Sequence, residues 1–365
     1  MPGQAPGAAV ETIVIAGGGT GGHLYPGIAI AEELQRRRPG LALAFAGIGS
    51  PLEREILGPH GYGLLAIKSG GVVGKSLGAR LRGGGRALAG LLQSLRVLLR
   101  MRPRAVIGVG GYASGPMVMA AVVLRIPTLI QEQNYHPGLT NRLLAPWVRK
   151  VAVSFDETRH FFGGRGEVTG NPIRAAFGAI RRKTRGESFN VLIFGGSQGA
   201  RAINGAVIDA LPHLEAHRLA LRFQHGSGPG DLARVMAAYA ARRFDANVTA
   251  YIPGIREAYE QADVVVARAG ASTVSEIAAC GKASILVPLA TSAHDHQRLN
   301  ARAFADAGAA ILIEESDLSG AALARALLAL RDDTARVVAM ERAASSLARP
   351  DAAARIADMV EELIA

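Results

Sequence analysis

The residues best suited to chemistry sit where short apolar runs break into glycine. Gly17-Gly-Gly19-Thr-Gly-Gly22 follows one such run and opens a helical pattern, and Gly195-Gly-Ser197-Gln-Gly199 repeats the arrangement in the second half. Backbone N–H groups at such a turn, backed by a helix N-terminus, suit a phosphate or another anion, and Ser197 adds a hydroxyl donor. For the first turn, a tight bend that only packs helix on strand is the structural alternative. In Arg268-Ala-Gly-Ala-Ser-Thr-Val-Ser-Glu276 a third strand meets a helix start, with a carboxylate in the helix's first turns. Glu276 can offset the helix dipole there, or accept hydrogen bonds from both ribose hydroxyls of a nucleotide. Two anion-binding turns and an acidic helix start point to a nucleotide diphosphate in the second half. Gln131-Glu-Gln-Asn134 ends a buried strand with four hydrogen-bonding side chains, and that position predicts ligand contact.

Other patterns fail on inspection. Glycines 17, 19 and 22 match a dinucleotide fingerprint, but the second strand ends Phe45-Ala-Gly-Ile48 and the first acid after it is Glu53. The carboxylate needed to hold a ribose is therefore missing. Ser69-Gly-Gly-Val-Val-Gly-Lys75-Ser76 resembles an NTPase phosphate loop with Ser69 in place of the first glycine, and no Asp-ending strand follows to hold Mg²⁺. His294-Asp-His296-Gln297 packs its ligands too closely in sequence to converge on one ion, and no Asp-x-Asp pair occurs. The sequence predicts no metal site and no required cofactor.

These motifs need strands to position them. Thr12–Ala16, Ala42–Ala46, Ala105–Val109 and Thr128–Gln131 read as buried strands, as do Asn190–Phe194, Leu221–Gln224, Asp263–Ala267 and Ser284–Val287. Continuous apolar runs alternating with helices indicate parallel sheets covered on both faces. The expected class is α/β, with two Rossmann-like doubly wound domains facing across a cleft. The link is expected near Gly163–Pro172, rich in turn formers.

A chain of 365 residues exceeds what one core usually serves. Its one cysteine, Cys280, and the lack of a basic-then-apolar start predict a cytosolic protein. The uncharged stretch Ala105–Leu124 is long enough to span a bilayer, but Gly108, Gly110, Gly111, Gly115 and Pro116 predict a strand, a turn and a buried helix instead. The net charge of +11 is concentrated: Ile56 to Gln131 holds ten Lys or Arg and no acid. That stretch predicts an anionic partner, either nucleic acid or an anionic membrane surface. Leu88, Leu91, Leu92, Leu95, Leu98 and Leu99 recur there at helical spacing, as a core helix or as part of a docking face.

The ordered motifs resemble the N-acetylglucosaminyltransferases of peptidoglycan synthesis, a family with the two-domain GT-B fold. The matching segments are Gly18–Gly27 with His23, Gly110–Pro116, Glu132–Asn134, Gly170–Arg174, Gly195–Ala200, the segment ending at Glu276, and His296–Asn300. Where the family usually has His, this chain has Gln131, so no imidazole role transfers there. The resemblance implies UDP-N-acetylglucosamine as donor and lipid I, an undecaprenyl-pyrophosphoryl muramoyl pentapeptide, as acceptor, at the cytoplasmic face of the membrane. It implies donor contacts from Thr20, Gly21, Gly22, Asn134, Arg174, Ser197, Ile252, Ala271, Ser272, Thr273, Val274, Ser275, Glu276 and Gln297. Within that set Arg174 and Ile252 lie near the uracil, Glu276 on the ribose, and Asn134 and Gln297 on the sugar. Gly110, Gly111 and Tyr112 would meet the acceptor, and Lys75, Arg80, Arg82 and Arg86 the membrane. Domains are expected over 1–170 and 171–345, with residues 346–365 returning to the first.

Such a reaction needs a base for the acceptor C4 hydroxyl and stabilisation of the departing UDP. His23, through the neutral form of its imidazole, is the preferred base, with Glu132 the second candidate. Backbone N–H groups near Ser197 would stabilise the leaving group without a metal. A dinucleotide oxidoreductase lacks its ribose acid, a UDP-sugar epimerase would act without lipid, and a nucleic-acid binder leaves the glycine turns unexplained.

Overall fold

All described strand pairs in the computed structural model are parallel. The structure describes residues 11–69, 77–174, 177, 186, 188–196, 199–292 and 295–365, with only the backbone of residues 77–84. Lys75, Ser197 and His294 therefore lie outside the described residues, as do the side chains of Arg80 and Arg82. Two units emerge: Met1–Gln133, Pro137–Arg174 and Asp351–Ala365 form the first, and Asn134–His136 with Ala175–Pro350 form the second.

In the first unit the strands are β1 (Thr12–Ala16), β2 (Ala42–Gly47), β3 (Gly63–Ala66), β4 (Ala105–Gly108), β5 (Thr128–Glu132), β6 (Lys150–Val153) and β7 (Glu167–Val168). Their order is β3-β2-β1-β4-β5-β6-β7. β4 and β5 are buried at every residue, which is why they read as unbroken apolar runs. Helices α1 (Gly21–Arg37), α2 (Pro51–Leu57), α3 (Leu77–Met101), α4 (Ser114–Val123) and α5 (Leu139–Leu144) connect the strands. The uncharged stretch divides into β4, a glycine turn and α4, as its glycines require. Among the described residues no helix is long and apolar enough to cross a membrane.

The second unit has β8 (Phe189–Phe194), β9 (Leu221–Gly226), β10 (Asp245–Thr249), β11 (Val264–Ala267), β12 (Ala283–Leu286) and β13 (Ala310–Leu312), in the order β10-β9-β8-β11-β12-β13. Its helices are α6 (Arg201–Leu214), α7 (Leu232–Ala241), α8 (Ile255–Gln261), α9 (Ala271–Cys280), α10 (His296–Asp306), α11 (Gly320–Asp332) and α12 (Thr334–Ser346). Each sheet reverses its winding once, between β1 and β4 in the first and between β8 and β11 in the second. Ligands of open α/β sheets bind at such reversals, outside the carboxyl ends of the strands.

The last helix, α13 (Ala352–Ile364), belongs to the first unit. Ile356, Ala357, Met359, Val360 and Ile364 enter the core built around Ile13, Ile28 and Phe45. Arg37 of α1 fixes the register by pairing with Asp358 and Glu361. Replacing Ile356, wholly buried, with Ala should cost this unit about 2–5 kcal/mol of unfolding free energy. Denaturant unfolding followed by circular dichroism checks this; an unchanged midpoint would mean α13 contributes nothing to that core.

Candidate active site

At the reversal of the first sheet, the turn after β1 meets the turn after β4. Gly111 has φ +82°, and a Cβ there would come within 2.4 Å of the Gly18 carbonyl oxygen. Gly17 is equally confined, since its Cβ would meet Val109 Cγ2 at 2.3 Å. Only glycine permits these two backbones to touch.

Gly110, at φ +88°, backs the His23 imidazole: a Cβ would sit 2.7 Å from Cδ2 and 3.0 Å from Nε2. The other ring nitrogen, Nδ1, lies 3.1 Å from Thr20 Oγ1. His23 is half-buried one turn into α1, while Thr20, Gly22 and Tyr112 are exposed and Gly21 is half-buried. His23 and the glycines expected to meet the acceptor are thus in contact.

The turn is already bonded to an anion, and that anion is the chain's own Glu53. This carboxylate is wholly buried. Oε1 accepts from the N–H groups of Gly19 (2.9 Å) and Ile48 (3.1 Å), and Oε2 from Gly49 (2.7 Å) and Ser50 (2.9 Å). Of the two sequence readings of the turn, phosphate cradle and structural bend, the geometry supports a bend bound to an internal carboxylate.

Gln131, Glu132 and Gln133 depart from the expectation of ligand contact. All three are buried, at 0%, 2% and 2% exposure. Gln133 Nε2 donates to the Val109 carbonyl at 2.7 Å, and Gln131 Nε2 lies 3.5 Å from Asn171 Oδ1. Glu132 Oε2 accepts from Gly138 N (3.0 Å) and Asn141 Nδ2 (2.9 Å), so this carboxylate anchors the chain as it leaves β5. Strands at the centre of a sheet bury their side chains on both faces, and polar ones must then find partners inside the protein.

Asn134 differs, because it belongs to the second unit. Asn300 of α10, wholly buried, lies 3.4 Å from Asn134 Oδ1 through Nδ2, which also donates to Ala269 O at 3.1 Å. Its Oδ1 accepts from Tyr135 N at 3.0 Å. Gln297 stands three residues earlier on the same helical face, with Oε1 accepting from Leu289 N at 3.1 Å. Asn134 is thus tied by Asn300 to the face of α10 that carries Gln297, a role of Asn300 that the sequence did not disclose.

In the second unit a chain of contacts links Ile252 to Glu276. Ile252 packs on Gly226, where a Cβ would approach Cγ1 to 2.9 Å. Gly226 pairs with Phe194, whose ring meets Tyr259 edge-on at 6.0 Å. Tyr259 is wholly buried, and its hydroxyl donates to Glu276 Oε2 at 3.4 Å. The chain therefore runs from an aliphatic contact to a half-buried carboxylate. Beside it, α9 begins at Gly270 with no capping side chain, and Ser272 Oγ is buried without a partner. Ala271 and Val274 are buried, while Thr273 and Ser275 are half-buried. Arg174 belongs to the first unit, where its guanidinium stacks on Tyr25 at 4.9 Å from the ring centroid.

The second glycine turn rests on Ser227, since a Cβ on Gly199 would meet the Ser227 carbonyl at 2.3 Å. Asn204 Nδ2 holds that carbonyl (2.8 Å) and Asp231 Oδ2 (2.9 Å), so its Oδ1 must accept, and it receives Nε2–H of His225 at 3.0 Å. His225 Nδ1 is then the acceptor for the Tyr239 hydroxyl, 3.3 Å away. Burial lowers the His225 pKa to about 4, against a small opposing pull from Asp231. Among the described residues no group of three or more His, Cys, Asp or Glu could hold a metal ion.

Comparison with known proteins places this geometry. Residues 13–153 match the glycosyltransferase family 28 N-terminal domain, and residues 190–356 match its C-terminal domain. The chain belongs to glycosyltransferase family 28. A UDP-N-acetylglucosamine--N-acetylmuramyl-(pentapeptide) pyrophosphoryl-undecaprenol N-acetylglucosamine transferase of Myxococcus xanthus is 43% identical over 355 residues, covering 96% of this chain and 93% of the relative. Its Geobacter sulfurreducens counterpart is 44% identical over 352 residues, covering 95% and 97%. The crystal structure of Acinetobacter baumannii MurG superposes with a TM-score of 0.80 at 29% identity, covering 96% of this chain and 99% of that one. The α/β class, the GT-B fold and the glycosyltransferase family expected from the motifs are all borne out.

Because His225 is neutral when folded and free to protonate near 6.5 when unfolded, the unfolded chain binds more protons between those values. Stability of the second unit should therefore fall as pH drops from about 6.5 to 4, by about 3 kcal/mol at the lower end. His225→Gln should flatten that limb in urea titrations across the range; an unaltered slope would assign it to other groups.

Proposed function

We propose that this family 28 enzyme transfers N-acetylglucosamine from UDP-N-acetylglucosamine to the C4 hydroxyl of the muramoyl sugar of lipid I, with inversion, giving lipid II and UDP. The observation that carries the reading is near-full-length identity of 43–44% to curated relatives named for this transfer. Half-buried Ile252 and Glu276, linked through Gly226, Phe194 and Tyr259, support it, because an aliphatic side chain and a carboxylate suit a nucleobase and its ribose.

Glu276 accepts hydrogen bonds from the ribose hydroxyls, and Tyr259 holds the carboxylate in place. The N–H groups at the uncapped start of α9, with Ser272, Thr273 and Ser275, stabilise charge on the diphosphate. Asn134 and Gln297 orient the sugar from α10, and Ser197 joins the diphosphate contacts. Thr20, Gly21 and Gly22 reach the donor from the start of α1, with Arg174 beyond them. Gly110, Gly111 and Tyr112 receive the acceptor.

His23 removes the C4 proton. For that, Nδ1–H must donate to Thr20 Oγ1, which leaves the Nε2 lone pair as base. Glu132 is the weaker candidate, because Oε2 already accepts two N–H bonds in a buried setting. The reaction as proposed needs no cofactor, and the leaving group is met by protein N–H and hydroxyl donors.

The acceptor's lipid tail places the first unit at an anionic membrane surface. In α3, Leu91, Leu95 and Leu98 pack inward, whereas Leu88, Leu92 and Leu99 are 59%, 50% and 59% exposed. Arg86, Arg96 and Arg100 are exposed on the same helix. Apolar side chains flanked by arginines suit lipid headgroups, each cation adding about 1 kcal/mol near the surface. Lys75, Arg80 and Arg82 extend the basic stretch in the sequence, and the proposed location is peripheral, on the cytoplasmic face.

Two outcomes follow. With radiolabelled UDP-N-acetylglucosamine and a lipid I analogue, label should pass to the lipid, and Glu276→Ala should weaken UDP binding by about 1.5–3 kcal/mol in calorimetry. No transfer, or unchanged UDP affinity in the folded variant, contradicts the reading. Replacing Leu88, Leu92 and Leu99 with Ser and Arg86, Arg96 and Arg100 with Glu should abolish sedimentation with anionic vesicles while UDP affinity stays. Persistent vesicle binding would assign that face another role.

A further inference from the structure

We propose that Glu53 is a positioning residue for the transfer, holding the backbone that orients His23. The inference rests on the reading of His23 as the base. A wholly buried carboxylate is costly unless it is fully hydrogen-bonded, and Glu53 meets that condition with four backbone N–H groups drawn from two loops. Three of them belong to its own loop, Ile48 to Ser50, ahead of α2. The fourth, Gly19, belongs to the turn after β1, so Oε1 bridges that turn to the turn after β2.

The contact is close enough to dictate sequence on both sides. A Cβ on Gly18 would lie 2.0 Å from Glu53 Oε1, and one on Gly47 would lie 2.8 Å from the carboxylate. The opposite side of the turn is equally confined, since a Cβ on Gly111 would meet Gly18 O at 2.4 Å. Residues Gly18 and Gly19 are thus clamped between a carboxylate and a second backbone. Both ends of that clamp reach His23. Thr20, next to Gly19, bonds Nδ1, and Gly110, next to Gly111, lies against the ring's Cδ2 and Nε2.

Loss of the Gly19 bond frees the clamped turn, and with it the angle from which Thr20 meets the imidazole. A displacement of about 1 Å at a reacting group costs on the order of 100-fold. The same carboxylate makes this turn unsuited to a second anion, since like charges at contact distance repel.

Glu53→Gln replaces one acceptor oxygen with a donor and keeps the side-chain shape. Glu53→Asp keeps a carboxylate by the α2 amides but is one methylene short of Gly19, and it serves if the Gln variant does not fold. With donor and lipid I analogue saturating, both should lower kcat at least about 10-fold while UDP affinity changes less than about twofold. In a His23→Ala background, Glu53→Gln should lower kcat no further, because the two residues act as one unit. Ser50→Ala, which removes the α2 cap hydroxyl but leaves the Gly19 bond, should keep kcat within about twofold. Wild-type kcat in both Glu53 variants overturns the proposal, as does a drop of equal size in the presence and absence of His23. A full loss in Ser50→Ala overturns it too, by tracing the effect to α2 alone. Retained turnover in His23→Ala instead refutes the base assignment, and this inference with it.

Discussion

The bond between the Glu53 carboxylate and the Gly19 amide is the contact on which the first unit's site depends. The carboxylate gathers N–H groups of two turns at one point, Gly19 of the glycine turn and Ile48, Gly49 and Ser50 of its own loop. In the first unit the chain supplies the anion itself, from a residue 34 positions further on. Without it, four part-buried amides would lose their protein acceptor. The result is a rigid junction of three strand-end turns, after β1, β2 and β4. His23 touches that junction through Thr20 and Gly110.

The two glycine turns are alike as sequence and different as structures. Among the described residues no carboxylate accepts a hydrogen bond from Gly195, Gly196 or Gly199. That turn rests instead on Ser227, whose carbonyl is fixed by Asn204 and, through it, by neutral His225. One turn is closed by an internal charge; the other is buttressed from behind by an uncharged network. The proposed reading uses this difference, with the nucleotide assigned to the second unit and the base to the first.

Much of this was legible in the sequence, and what was not has identifiable causes. The eight strands read as apolar runs are four adjacent interior strands of each sheet, β2-β1-β4-β5 and β9-β8-β11-β12. β3, β6, β7, β10 and β13 escaped because they lie outside those four, and β3, β7, β10 and β13 contain no fully buried residue. Their mixed residues give no continuous run. Glu53 was noticed only as an acid in the wrong place for a ribose, since spacing does not reveal which loop a carboxylate will fold into. Tyr259, Asn300 and His225 act through tertiary contacts 14 to 166 residues apart, beyond any local pattern. Gln131 to Gln133 show a related limit: their strand end lies in the middle of a sheet, and all three side chains are buried, Gln133 on the Val109 carbonyl and Glu132 on Gly138 and Asn141.

Backbone amide shifts on titrating UDP into the isotopically labelled protein test the distinction between the two turns most directly. The account predicts large perturbations at Gly195, Gly196 and Gly199 and along residues 271–276, with the amides of Gly19, Ile48, Gly49 and Ser50 unmoved, because Glu53 keeps them. Perturbation of those four amides, with residues 271–276 silent, would contradict it.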